Sequence, residues 1–255
     1  MGMERKRAIV TGAGVGIGQG IAVELAKAGY DIVVHYHSSS AGAEETCRLI
    51  EAVGGKGYMI QADLSQVEQI HKLFEDGISW LGGLDLYVNN SGVTQLSLFE
   101  ETTEELFDRL VSVDFKSAYF CVQSAASVMI KTKNPGNIII ISSSNAFQQL
   151  PGASVYGSIK AALCKLTRHA AAEYAKYGIR VNCIAPGWTA TSRTLKIDTH
   201  STDHLIPLKR WALPEEIGQM AVFYASSAAA SVTGSILLAD GGATLLSKPA
   251  ADYGL

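Results

Sequence analysis

The chain has 255 residues, enough for one large α/β domain or two small ones, and 47% of them are hydrophobic. With 21 Lys and Arg against 24 Asp and Glu, the net charge is only -3, which gives no electrostatic case for binding nucleic acid or an anionic membrane. No uninterrupted apolar run approaches the ~18 residues of a membrane-spanning helix, and the short basic start is unlike a signal peptide. These properties predict a cytoplasmic protein with a small, near-neutral partner.

The cysteines lie far apart and lack the paired spacing of a zinc site or a redox motif. Each stands in an apolar context. We therefore expect reduced thiols in the core and no metal site. The cysteines are Cys47, Cys121, Cys164 and Cys183.

Short strand patterns alternate with longer helical patterns along the chain. The predicted strands are 8–11, 31–36, 57–61, 84–88, 137–142, 179–184 and 235–239. The predicted helices are 18–28, 41–53, 67–80, 103–130, 155–177 and 214–226. Two of the strands are continuously apolar rather than alternating, as expected when helices cover both faces of a parallel sheet. The pattern predicts an α/β protein with one doubly wound Rossmann-fold domain over 1–255, containing a seven-stranded parallel sheet flanked by helices.

One connection between predicted elements is unusually long. The stretch 187–213 has few periodic signals, and loops of that length in a compact domain are usually functional. We expect a substrate loop at about 188–213 and a C-terminal tail at 243–255.

A glycine-rich turn, Thr11 to Gly18, joins the first predicted strand to the first helix. Glycines allow a tight turn and let backbone N–H groups approach a phosphate at a helix N-terminus. The common pattern G-x-G-x-x-G does not fit here, whereas T-G-x-x-x-G-x-G does. By itself a glycine-rich turn is weak evidence for nucleotide binding. Its position between a strand and a helix makes that evidence stronger.

Tyr156 and Lys160 are four residues apart at the start of a long helical pattern, so they share one helix face. A free tyrosine has a pKa of about 10, and a nearby cation favours the phenolate. Tyr156 is therefore a candidate proton donor and acceptor. The alternative is an ordinary pair of helix side chains.

Several motifs in order resemble those of the short-chain dehydrogenase/reductase family, and the resemblance covers essentially the whole chain. Ser143 precedes Tyr156 by thirteen residues, which is the family's spacing for its catalytic serine. The other motifs are the glycine turn at 11–18, Asp63-Leu64, Asn89-Asn90-Ser91-Gly92, the Y-x-x-x-K of Tyr156 and Lys160, and the P-G-x-x-x-T at 186–191.

This resemblance implies an NAD(P)-dependent oxidoreductase acting on carbonyl or alcohol groups. It implies that Ser143 hydrogen-bonds the substrate oxygen, that Tyr156 passes the proton, and that Lys160 supports the tyrosine and holds the nicotinamide ribose. By the same resemblance Asp63 would contact the adenine, Asn90 to Gly92 the adenosine ribose region, and Pro186 to Thr191 the nicotinamide end. The full set of implied cofactor-binding residues is Gly12, Gly16, Ile17, Gly18, Asp63, Leu64, Asn90, Ser91, Gly92, Tyr156, Lys160, Pro186, Gly187, Thr189 and Thr191. For Asp63 a turn aspartate capping the next helix is a compatible alternative.

Two positions depart from the family pattern. Asp114 stands where the family usually has an asparagine that helps a water link the lysine to solvent. Its carboxylate would lie near Lys160 and stabilise the ammonium, so we expect the proton relay to survive with a shifted pH optimum. Ser91 replaces the usual alanine and is expected to be tolerated as a small residue.

Cofactor choice depends on the end of the second strand. An acidic residue there would bind the ribose 2′-hydroxyl, and none is present because Asp31 begins the strand. NADP is therefore favoured over NAD, although Val15 occupies a position that is often basic in NADP-using relatives. His37 and Ser38 would hold the 2′-phosphate. Simple exposure at the strand edge is the alternative for His35 and His37.

The expected substrate pocket comprises 93–96, 144–150 and 188–208. Its polar residues favour a sugar or polyol, and the closing stretch 237–245 is also similar to glucose 1-dehydrogenases of the family. These polar residues are Gln95, Asn145, Gln148 and Gln149.

Two rival functions remain open. A 3-oxoacyl-carrier-protein reductase would need a basic landing patch, for which the loop offers only Arg193, Lys196, Lys209 and Arg210. A non-catalytic dinucleotide-sensing regulator would be expected to have lost the Ser–Tyr–Lys set. Members of the family are mostly homotetramers, so the predicted fourth and fifth helices are expected to pack between subunits.

Overall fold

The structure, a computed structural model, describes residues 5–191, 194, 202 and 204–246. Strands and helices alternate as predicted. The strands are β1 (Lys6–Val10), β2 (Tyr30–Tyr36), β3 (Gly57–Gln61), β4 (Leu86–Asn89), β5 (Asn137–Ile141), β6 (Arg180–Pro186) and β7 (Ile236–Ala239). The helices are α1 (Gly16–Lys27), α2 (Ser40–Ala52), α3 (Val67–Leu81), α4 (Glu104–Leu110), α5 (Ser117–Lys131), α6 (Ser154–Tyr174) and α7 (Pro214–Ala225).

All seven strands are parallel and form one sheet in the order β3-β2-β1-β4-β5-β6-β7. This confirms the predicted doubly wound Rossmann fold. The strand order reverses between β1 and β4, and in such sheets a ligand crevice opens there beyond the carboxyl ends of the strands. The segments that follow β1, β4, β5 and β6 therefore meet at one edge.

The continuously apolar strands form the centre of the core. Neighbouring residues of one strand belong to opposite layers: Ile139 packs in the cluster with α1 and α7, and Ile138 packs in the cluster with α3 and α5. Both side chains are fully buried. Because helices cover both faces, neither face of these strands can be polar.

The predicted helix over 103–130 is interrupted in the structure. Between α4 and α5 the backbone widens into a π-helical turn at Val111–Lys116. Asp114 lies in this turn, and the hydroxyl of Ser117 donates to the carbonyl of Val113 within it. Such turns insert an extra residue without changing the apolar pattern strongly, so helical periodicity did not reveal this one.

The two ends of the predicted substrate loop are joined by backbone hydrogen bonds. Ala190 donates its N–H to the carbonyl of Ala212, and Ala212 donates to that of Trp188. The rings of Trp188 and Trp211 lie 5.2 Å apart. Residues 192–193, 195–201 and 203 of this loop, and 247–255 of the predicted tail, lie outside the described residues. None of the described helices is long and apolar enough to cross a membrane.

Candidate active site at the carboxyl edge of the sheet

The glycine turn has the backbone geometry of a phosphate cradle. Gly12 and Gly16 both have φ of +63°, a conformation that favours glycine. A Cβ at Gly18 would lie 2.2 Å from the carbonyl oxygen of Gly12, so only glycine lets α1 start this close to β1. Val15 gives α1 no side-chain cap, and its first turn, from Gly16 and Ile17, has no acidic residue. The backbone N–H groups at the start of α1 can therefore donate hydrogen bonds to an anionic pyrophosphate, and the turn fits a dinucleotide.

Thr11 and Asn90 fix the shape of this turn. The Asn90 amide donates to the carbonyls of Thr11 and Gly12 at 3.0 and 3.1 Å. The Thr11 hydroxyl accepts the N–H groups of Asn90 and Ser91 at 3.0 and 3.2 Å. The Asn90 side chain thus holds the glycine turn itself, in addition to the ribose contact that the family resemblance implies.

The segment after β3 lies next to the turn. The Asp63 carboxylate accepts the N–H of Ser65 at 3.0 Å, as a turn aspartate does. Burial raises its pKa, but the hydrogen bonds from Ser65 and the nearby His37 together outweigh burial and hold the pKa of Asp63 below its ordinary value. Leu64 is buried, whereas His37 and Ser38 are exposed at the end of β2.

Ser143 lies two residues beyond the end of β5, and its hydroxyl is available as a hydrogen-bond donor. Its Oγ accepts the N–H of Asn145 at 3.2 Å, which leaves the hydroxyl proton for another acceptor. The short turn 144–146 lies on α6 at Gly157, where a Cβ would be 3.0 Å from the Asn145 carbonyl oxygen. The absence of a side chain at Gly157 thus brings the Ser143 turn against the helix that carries Tyr156.

Tyr156 and Lys160 occupy neighbouring turns of α6, and the Lys160 Nζ lies 5.2 Å from the centre of the Tyr156 ring. The same Nζ is 3.4 Å from Oδ2 of Asp114. Lys160 is 5% exposed and Asp114 is 1% exposed, so the ion pair is buried. The predicted proximity of Asp114 to Lys160 is therefore present in the structure.

Asp114 also contacts the segment after β4. Its Oδ1 accepts the N–H of Val93 at 2.8 Å. A Cβ at Gly92 would lie 2.9 Å from Asp114 Oδ2 and 3.2 Å from Lys160 Nζ, so Gly92 lies directly against the ion pair. One carboxylate thus joins α6, the π-helical turn and the Asn90 to Val93 segment.

The two charges influence each other. Burial raises the pKa of Asp114 above its ordinary value, although Lys160 opposes this change. Burial alone lowers the pKa of Lys160, but the oxygens of Tyr156 and Asp114 outweigh burial and raise it. The lysine therefore stays an ammonium at neutral pH.

The segment after β6 approaches the glycine turn from the other side. Pro186 ends β6, and Gly187 lies against Asp240. The Thr189 hydroxyl donates to the Gly187 carbonyl at 3.1 Å. A Cβ at Gly16 would be 3.3 Å from a methyl carbon of Thr191. The residues predicted to hold the two ends of a dinucleotide therefore surround one crevice.

Two polar groups that support this edge were not assigned a role from the sequence. The Ser142 hydroxyl, directly after β5, donates to the Lys160 carbonyl at 2.7 Å and so links α6 to the end of β5. His35 is 1% exposed, so the alternative of strand-edge exposure is wrong for it. The sequence did contain a signal for the burial of His35: it is a polar residue in a strand that helices cover on both faces, and it lies next to a glycine turn.

The expected pocket residues differ in how their polar atoms are used. The Gln148 amide donates to the Ser144 hydroxyl at 3.2 Å, and Gln95 accepts from Arg109 at 3.4 Å. Oδ1 of Asn145 is buried without a hydrogen-bond partner among the described residues. Buried acceptors of this kind need a donor.

Comparison with known proteins gives consistent matches over nearly the whole chain. The family described as "Enoyl-(Acyl carrier protein) reductase" matches residues 12–244. The chain is 36% identical to glucose 1-dehydrogenase 2 of Bacillus subtilis, covering 94% of this chain and 95% of that protein. It is 33% identical to 3-oxoacyl-[acyl-carrier-protein] reductase FabG of Staphylococcus epidermidis, covering 93% and 98% respectively.

A solved structure gives a similar result. The crystal structure of a short-chain type dehydrogenase/reductase from Mycobacterium marinum is similar to this fold with a TM-score of 0.90 at 32% identity, covering 94% of this chain and 96% of that chain.

The buried ion pair generates a stability prediction. Replacing Lys160→Met leaves the Asp114 carboxylate buried without its cation, and we expect a loss of about 3 kcal/mol in the free energy of unfolding, measured with urea at pH 7. The double variant Asp114→Asn/Lys160→Met removes the stranded charge and should recover at least about 1 kcal/mol. Equal stability of the single and double variants would contradict a paired, buried carboxylate.

Proposed function

Because the chain belongs to the short-chain dehydrogenase/reductase family of oxidoreductases, we propose that it transfers a hydride between NAD(P) and a carbonyl or secondary alcohol, with Tyr156 as proton donor and acceptor. The observation that carries this proposal is the grouping on α6: Tyr156 and Lys160 share one face of the helix, and the turn that follows Ser143 packs against the same helix at Gly157. The site lies beside a glycine turn that fits a dinucleotide.

Each side chain has a separate task in the proposed reduction. The Ser143 hydroxyl, whose Oγ already accepts from Asn145, donates to the substrate oxygen and stabilises the charge that develops there. Tyr156 gives its phenolic proton to the same oxygen. The Lys160 ammonium stabilises the phenolate left behind. Asp114 keeps that ammonium in place. A bound nicotinamide supplies or accepts the hydride.

We favour NADP, with NAD as the alternative. The end of β2 carries no carboxylate at His37 or Ser38, the positions where one would bind the 2′-hydroxyl and repel a 2′-phosphate. Both residues are exposed and offer an imidazole and a hydroxyl to an anion.

For the substrate we propose a sugar or polyol. The buried Oδ1 of Asn145, two residues after Ser143, lacks a donor among the described residues. A substrate hydroxyl would supply one, whereas an acyl thioester has no hydroxyl beside its ketone. Similarity to a glucose 1-dehydrogenase points the same way.

A 3-oxoacyl-carrier-protein reductase is the second candidate because of the similarity to FabG. An acidic carrier protein would be attracted by exposed basic groups. Arg210, however, forms a two-contact ion pair with Glu216 at 2.6 and 2.8 Å, which cancels its charge. Arg193 and Lys196 lie outside the described residues. Lys209, the remaining basic residue of the loop, is exposed. One exposed lysine is a small landing patch for an acidic protein, so we favour the sugar substrate.

Nicotinamide absorbance tests this proposal. The substrate panel comprises sugars, polyols, steroids and 3-oxoacyl thioesters, each assayed with NADP(H) and with NAD(H). We expect activity on a sugar or polyol with a preference for NADP.

Tyr156→Phe should lower kcat by at least about 100-fold because the proton donor is lost, and should change the nucleotide Kd by less than about threefold. Activity confined to acyl thioesters would favour the second candidate, and full activity of Tyr156→Phe would contradict the proposed proton transfer.

The carboxylate at 114 should set the pH dependence. Asp114→Asn removes a negative charge near the Tyr156–Lys160 pair, so the phenolate form becomes less disfavoured. We therefore expect the acid limb of kcat/KM for alcohol oxidation to move to lower pH in this variant. Val23→Ala, on α1 away from the pair, serves as the control and should keep the parent profile. Identical profiles for parent and Asp114→Asn would remove the electrostatic role of Asp114.

We propose a cytoplasmic homotetramer. The described cysteines are free thiols, in keeping with a reducing compartment. Phe107 on α4 is 48% exposed and Phe99 is 82% exposed. They border an apolar groove with Phe115 and Ile159 that a second copy of the chain would cover.

Light scattering should report a tetramer for the parent and smaller species for Phe107→Asp, because a charge would be buried at the interface. Tyr58→Asp, an equally exposed aromatic position at the β3 edge, should stay tetrameric. A monomeric parent at micromolar concentration would contradict the proposal.

A further inference from the structure

His35 is a buried imidazole that the proposed proton transfer does not use. The N–H of Gly12 donates to its Nδ1 at 3.1 Å, and its Nε2 lies 3.1 Å from the carbonyl oxygen of Ala62. A backbone N–H can only donate and a carbonyl can only accept. The two contacts therefore assign the neutral tautomer with its proton on Nε2.

These contacts join segments that are far apart in the sequence. Gly12 is the first glycine of the turn at the end of β1, and Ala62 directly precedes Asp63 in the segment after β3. The Ser91 hydroxyl, in the segment after β4, is 3.5 Å from the same Nδ1. The ring thus lies where all three segments proposed to hold the adenosine half of the cofactor meet.

Backbone hydrogen bonds connect β2 to its two neighbours separately. Ala13 donates to the His35 carbonyl at 2.9 Å, and Ala62 donates to the Tyr36 carbonyl at 3.1 Å. Beyond these points the ladders end, and among the described residues no backbone hydrogen bond joins the glycine turn to the Asp63 segment. The imidazole bridges that gap directly.

We propose that His35 is a positioning residue for the dinucleotide, which holds the Gly12 N–H and the Ala62 carbonyl at the separation that the adenosine half requires. This inference rests on the proposed binding of NAD(P) at the glycine turn. His35 acts through the backbone and does not itself contact the reacting atoms.

The protonation state of the ring agrees with this role. Burial lowers the pKa of His35 to about 4, so the ring is neutral near pH 7. An imidazolium would turn Nδ1 into a donor facing the Gly12 N–H and would lose that hydrogen bond.

Three substitutions separate the two contacts. In His35→Asn the side-chain oxygen replaces Nδ1 as acceptor for Gly12 but is too short to reach Ala62. In His35→Gln the longer amide reaches toward Ala62 and leaves Gly12 without its acceptor. His35→Leu keeps a comparable volume and removes both. His71→Leu, which replaces an exposed histidine on α3, is the matched control.

NADPH and NADH binding is measured by nicotinamide fluorescence on each purified full-length variant, with thermal unfolding alongside. We expect His35→Leu to raise the Kd of the preferred nucleotide by about tenfold or more, and His35→Asn and His35→Gln, each of which keeps only one contact, to raise it by about threefold or more. His71→Leu should bind like the parent, and kcat at saturating cofactor should stay within about twofold in all folded variants.

The outcomes distinguish the two proposals. A parent that binds neither nucleotide overturns the proposed function and the role of His35 with it. A parent that binds, with His35→Leu equally tight, overturns the role of His35 alone, as does a change in thermal stability without a change in Kd. If His35→Leu does not fold, weaker nucleotide binding by both His35→Asn and His35→Gln than by the parent supports the proposal, and parent-like binding by either of them contradicts it.

Discussion

The ion pair between Lys160 and Asp114 connects the parts of this site that the sheet alone leaves separate. Removing two charges from water is costly, and this cost is offset only when the pair is close and its remaining atoms are bonded. Here Nζ and Oδ2 are 3.4 Å apart and Oδ1 accepts the Val93 N–H, whereas Oδ2 has no hydrogen-bond partner among the described residues, so the cost is offset only in part. α6, the π-helical turn and the segment after β4 are consequently held in one arrangement. Displacing any of them would expose or strand a buried charge.

The other half of the crevice is organised by neutral hydrogen bonds. Thr11, Asn90 and His35 satisfy the backbone groups of the glycine turn without placing a charge beside it. An anionic pyrophosphate would therefore meet N–H groups and a helix dipole rather than a carboxylate. The parallel sheet, with its reversal between β1 and β4, brings this neutral half next to the charged half.

The sequence predicted the sheet well because burial on both faces makes parallel strands continuously apolar, as at Ile138 and Ile139. Tyr156 and Lys160 were recognisable because helical spacing brings them to one face and because the surrounding motifs, including Ser143, resemble those of one family. The π-helical turn could not be predicted, since one extra residue hardly alters an apolar pattern. The burial of His35 was missed because it depends on how β1, β2 and β3 end relative to one another, which is a tertiary property. The cofactor and substrate assignments remain predictions, because single side chains such as Asn145 and His37 decide them.

The central claim is that this crevice supports hydride transfer. Isotope transfer is its most direct test. The substrate would be the sugar or polyol that the enzyme oxidises, carrying deuterium on the carbon that bears the reacting hydroxyl. The account predicts that the deuterium is recovered on the nicotinamide ring by mass spectrometry, with a primary isotope effect on the chemical step. Recovery of the label in solvent water, with unlabelled nicotinamide, would contradict it.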